Sequence, residues 1–181
     1  MMRTIALVAL LAATPVMAGE LSPVVDGKGE ISMPENFRMD MVHLGSWFVP
    51  EGDASGFHDV YADRKGVEAY RQSGTFPDGT VVVKELRPAA SGDFTTGKDV
   101  SYSTTDVKQW FVMVKDSKNR FADSPSWGEG WGWALFKPGV QGNQSANYKQ
   151  DCLGCHVPVK DKDWIYTQGY PTLISVDLSG K

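Results

Sequence analysis

Cys152-Leu153-Gly154-Cys155-His156 places two thiols at C-x-x-C spacing and follows them at once with an imidazole. This is the pattern that fixes haem through two thioethers and uses the adjacent histidine as the proximal iron ligand. The spacing has a mechanical cause. Two intervening residues let both sulfurs reach the vinyl groups along one porphyrin edge, and the next residue turns its ring toward the iron. The expectation is one haem c, bound covalently by Cys152 and Cys155, with His156 on the metal. Two other uses of such cysteines compete with it. A redox disulfide expects a thioredoxin-like strand-helix-strand context, and a zinc site needs a further ligand from His43, His58 or a carboxylate.

The start of the chain bears on that choice. Met1 to Arg3 carry one positive charge, Ile5 to Ala13 form a short apolar run, and Val16-Met17-Ala18 resembles a small-residue cleavage site. Residues 1–18 are therefore read as a signal peptide and residues 19–181 as a single domain in the periplasm, where c-type haem is attached. No later stretch approaches the roughly 20 apolar residues of a membrane helix. The net charge of −4 leaves no basic excess for nucleic acid or an anionic membrane.

A sixth iron ligand is not evident. His43 and His58 read as ordinary surface or core histidines, and Met39, Met41 and Met113 read as strand core. An iron with one open face follows, suited to small ligands more than to pure electron carriage.

The elements that must position these groups are mostly strands. Arg64 to Ser73 is predicted as a short helix, with Asp63 as its N-cap and Gly74 as its stop. Phe76-Pro77-Asp78-Gly79 is a turn signal, and Thr80 to Leu86 after it is β-branched and extended. Gln109 to Lys115 and Gly130 to Lys137 are further aromatic-rich strands. Asn147 to His156 is predicted as the helix carrying the cysteines, and Trp164 to Tyr170 as a last extended piece. The fold class is α+β, mainly antiparallel β, with a single sheet, a few flanking helices and the haem-binding helix near the C-terminus. Trp127, Trp131 and Trp133 read as a packed hydrophobic wall, and Glu129 as a loop charge.

Several segments together resemble the cytochrome P-460 family: Phe76-Pro-Asp-Gly-Thr-Val-Val-Val-Lys84-Glu-Leu, then Val114-Lys-Asp-Ser, then Asn119-Arg-Phe121, and the C-x-x-C-H motif with Tyr170-Pro171 after it. The resemblance implies a periplasmic, mainly β, homodimeric mono-haem protein. It implies either oxidation of hydroxylamine, with or without nitric oxide, or nitric oxide binding as in cytochromes c′-beta. A soluble c-type cytochrome would accept the electrons. It also implies that Lys84 is cross-linked to the haem macrocycle. Strand alternation independently puts Lys84 on one face with Val82 and Leu86, an unusual setting for a free ammonium. A lysine snorkelling at a sheet edge would fit the same pattern.

The chain departs from the hydroxylamine-oxidising pattern at one place. Those members carry a distal carboxylate just before the Val-Lys-Asp-Ser segment, as a proton acceptor. Phe111 stands there, or Val112 if the register slips by one. An apolar lid over the iron or an ordinary core aromatic are both open readings of Phe111. Asp106 and Glu129 are carboxylates that a different chain path would bring to the pocket.

Overall fold

The computed structural model describes residues 21–174, so the leader expected over residues 1–18 lies outside the described residues. Six antiparallel strands form the main sheet in the order β1-β2-β3-β6-β8-β7. They are β1 (Val42–Val49), β2 (Gly56–Ala62), β3 (Val81–Arg87), β6 (Gln109–Lys115), β7 (Trp127–Gly128) and β8 (Trp131–Phe136). A separate two-stranded ribbon, β4 (Ala89–Phe94) and β5 (Gly97–Ser103), joins β3 to β6. The mainly antiparallel α+β class is as expected, with this ribbon added to the single sheet.

The local chemistry explains the entry into β3. Asp63 caps helix α2 (Arg64–Ser73) by accepting the Gly66 N–H at 2.8 Å, and its second oxygen accepts the Val81 N–H at 2.8 Å. One carboxylate thus starts the helix and ties it to the strand. Gly74 ends the helix in the left-handed conformation, φ 75°, as anticipated. The turn before β3 requires Gly79, whose φ is 85° and whose absent Cβ would lie 2.2 Å from the Leu21 carbonyl oxygen.

Strand pleating sorts the core into two layers. On one face Val60, Ala62, Val82, Met113, Trp131 and Trp133 pack against Val67, Tyr148, Cys152, Ile165, Tyr170 and Leu173, so helix α2 and the C-terminal segment cover it. On the other face Val81, Val83, Val112, Val114, Ala134 and Phe136 pack against Val24, Val25, Ile31 and Phe37 from the N-terminal segment.

Three expectations are corrected. Met39 lies on the short helix α1 (Phe37–Asp40) and is 85% exposed, so it belongs to no strand and no core; Met41 is half-buried at the end of that helix, whereas Met113 is buried as expected. The helix expected over residues 147–156 is two single-turn helices, α3 (Tyr148–Asp151) and α4 (Leu153–His156). The break is at Cys152, whose φ of −123° interrupts the helical run. The piece expected to be extended from Trp164 to Tyr170 is compact, with a 3-10 turn at Thr167–Gly169. It lies on β1 so closely that a Cβ on Gly45 would fall 2.1 Å from the Gly169 carbonyl oxygen.

Candidate haem site

The attachment motif sits where α3 and α4 meet, over the first of the two cores. Cys152 is buried, and that burial pushes its thiol up to about 11, while Cys155 is exposed on α4. Neither forms a disulfide. Tyr166 donates its hydroxyl proton to the Cys155 carbonyl, which fastens the motif to the segment that follows.

His156 is oriented through one nitrogen. Its Nδ1 lies 2.7 Å from the Trp164 carbonyl oxygen, an acceptor only, so Nδ1 carries the proton and Nε2 presents its lone pair. Burial, with the Lys84 charge adding to it, lowers its pKa and keeps the ring neutral, the form that binds metal. Trp133 and Tyr166 stand edge-on to the imidazole, with centroids 5.0 and 5.9 Å away. These contacts fix the plane of the ring. The tryptophans expected to form a wall are all buried but do not share a face: Trp131 and Trp133 line the core that Cys152 covers, whereas Trp127 packs into the opposite core.

Lys84 points to the same side. It stands directly across from Phe111 in the β3–β6 register and from Val60 in the β2–β3 register, so it shares the face that Cys152 covers. Its Nζ lies 4.2 Å from the centre of the Phe111 ring. The side chain keeps some accessible surface, yet burial dominates its chemistry and holds the amine below the ordinary lysine range, opposed by the sulfurs of Cys155 and Cys152. No ion pair found among the described residues involves Lys84.

The register also resolves the alternative at the distal position. Phe111 faces the Lys84 side, whereas Val112 is buried in the opposite core. Glu85, next to Lys84, likewise points to the opposite core, where Arg38 and Trp110 donate to it. Asp106 is exposed, and Glu129 is exposed in the β7–β8 turn with φ 58°. Neither the Phe111 nor the Lys84 position is supplied with a carboxylate by these four strands.

The remaining histidines behave as anticipated. His43 is exposed near Asp59 on β2, and His58 is buried with Nε2 2.7 Å from the Ala54 carbonyl.

These donors fit an iron porphyrin held by two thioethers. The two thiols are unpaired, the imidazole keeps Nε2 open, and an amine without a counter-charge is buried near both sulfurs. They fit a four-ligand zinc site poorly, because no group of three or more His, Cys, Asp or Glu side chains converges among the described residues.

Comparison with known sequences agrees with the geometry and defines the class: a haem-carrying cytochrome. The sequence model of cytochrome P460 matches residues 34–167, and the chain belongs to that family. Comparison with curated proteins returns no match. Among the described residues, no helix is long and apolar enough to cross a membrane.

Reading the sequence found the groups that would meet the haem and missed those that hold them. The Trp164 carbonyl, the Tyr166 hydroxyl and Asp163, which anchors the loop between them, act through backbone geometry and long-range contacts that local patterns do not encode.

Proposed function

We propose that this protein is a periplasmic mono-haem c-type cytochrome that oxidises hydroxylamine, alone or together with nitric oxide. It passes the electrons to a soluble c-type cytochrome and works as a homodimer. Cys152 and Cys155 carry the haem, His156 ligates the iron, and Lys84 is a third covalent link. The observation that carries this reading is Lys84 itself: an amine depressed by burial, without an acid partner among the described residues, on the sheet face that Cys152 covers.

When bound, the haem supplies the one-electron steps that oxidation of an N–H compound needs. The chain's own residues do the rest. His156 is held to a single tautomer by the Trp164 carbonyl, which keeps Nε2 directed to the metal and raises its donor strength. An uncharged Lys84 nitrogen is a nucleophile, which a protonated one is not. Lys84 would hold the macrocycle through that nitrogen as the third covalent link. Phe111, whose ring meets Lys84, is apolar and cannot accept a proton.

Phe111 favours a second reading, a nitric oxide binder without turnover, because an apolar ring admits a neutral diatomic and offers nothing to a substrate that must lose protons. Steady-state hydroxylamine oxidation with an artificial electron acceptor separates the two. Turnover above a haem-only control supports the enzyme. Its absence, together with tight nitric oxide binding in the absorption spectrum, establishes the second reading.

A further inference from the structure

We infer that Asp163 is a positioning residue: anchored by Lys115 and Trp131, it holds the Trp164 carbonyl against His156 and so tunes the potential of the iron that His156 would ligate. The inference rests on the ligation proposed above. Asp163 and Trp164 have φ of 57° and 64°, two successive residues with side chains in the left-handed region. Asp tolerates that region through its short polar side chain, but Trp rarely visits it. Such a pair persists where its surroundings over-determine it.

The surroundings here come from two neighbouring strands of the sheet. Lys115 on β6 and Trp131 on β8 are register partners, both buried. The Lys115 Nζ lies 4.8 Å over the Trp131 ring and 2.6 Å from Asp163 Oδ1. The Trp131 indole N–H donates to both the Asp163 carbonyl and its Oδ1, at 3.0 and 3.2 Å. Asp163 is thus gripped from below through side chain and backbone together. The Trp164 N–H donates to the Val159 carbonyl at 3.1 Å, and Trp133 braces the Trp164 ring edge-on, 6.4 Å between centroids. The peptide that follows can then point its oxygen only at His156 Nδ1, 2.7 Å away.

A carbonyl held on Nδ1–H makes the imidazole a stronger donor, which favours ferric over ferrous iron. Releasing it shifts that balance toward ferrous. The test uses the haem-loaded protein, with the midpoint potential and the ferrous iron–histidine stretch as readouts. Asp163→Gly allows the left-handed backbone but removes the anchor. It is expected to shift the ferric/ferrous equilibrium at least tenfold toward ferrous, about 59 mV upward for one electron, and to lower the stretching frequency. Asp163→Asn removes the charge and keeps the acceptor, so it is expected to stay within threefold of the parent. Trp131→Phe, which loses the indole donor together with part of the buried ring beneath Lys115, is expected to move both readouts in the Asp163→Gly direction by a smaller amount.

A Gly variant indistinguishable from the parent, or an Asn variant shifted as far as the Gly variant, would overturn the inference, the latter by reducing it to loss of charge. Should Asp163→Gly fail to retain haem, the Trp131→Phe result decides alone. Failure of the underlying reading looks different: His156→Ala would then keep the parental iron–histidine band.

Discussion

Lys84 and Glu85 are neighbours on one strand and meet opposite fates. Glu85 is 0% exposed, yet Arg38 donates to both of its oxygens, through Nε at 3.0 Å and through Nη2, and the Trp110 indole adds a third donor at 2.9 Å. Every cost of burying that carboxylate is met by the N-terminal segment and β6. Lys84, one residue earlier, faces a phenyl ring and two thiols and has no acid partner among the described residues. A charge kept for structure is paired, whereas the unpaired, buried amine of Lys84 is what we propose as a group held for chemistry. On that proposal the face covered by the N-terminus is the scaffold, and the face covered by the C-terminus is the working side.

Four experiments break or sharpen that contrast. Replacing Cys152 and Cys155 together by Ala strikes the working side hardest: the purified polypeptide is expected to lose all colour on acid-acetone extraction, whereas the parent keeps it. On the scaffold side, Arg38→Ala leaves Glu85 buried with only one of its three donors, the Trp110 indole. The expected loss is about 3 kcal/mol in urea unfolding, at the lower end for a broken buried pair because Arg38 is partly solvated. Phe111→Glu restores a proton acceptor opposite Lys84, and hydroxylamine turnover is expected to rise by about a hundredfold. An unchanged rate would place the proton acceptor elsewhere.

The smallest effect concerns pH. Burial lowers the His58 pKa, with the Lys84 and Lys108 charges adding to this and the Ala54 carbonyl and Asp59 opposing it. The unfolded chain then takes up the proton first. Stability is accordingly full above the unfolded value of about 6.5 and falls as pH drops from there toward the lower folded value. His58→Gln is expected to flatten the unfolding free energy across that interval, measured as denaturant midpoint against pH. A slope equal to the parent's would assign the dependence to another group.

How much of this was legible in the sequence depends on the range of the interaction involved. Helix α2 spans the expected residues because its cap, Asp63, and its stop, Gly74, are local. The Lys84 face followed from strand alternation alone. The choice between Phe111 and Val112 did not, since a one-residue slip reverses every side chain and only pairing with β3 decides it. Strands β1 and β2 carried no clear alternating pattern, with Gly45, Ser46 and Asp59 among their apolar residues. The left-handed turn at Asp163 and Trp164 was also invisible, because Lys115 and Trp131, far away in the chain, impose it. The proposed haem ligation has a motif in the sequence because its spacing is rigid; the contacts that hold His156 have none.

The contrast between the two neighbours comes down to whether Lys84 is reserved for the haem. Tryptic mass spectrometry of the purified, haem-loaded protein asks this directly. A single species joining the Cys152–Cys155 peptide, haem and the Lys84 peptide is the predicted result. An unmodified Lys84 peptide recovered in full yield would contradict it.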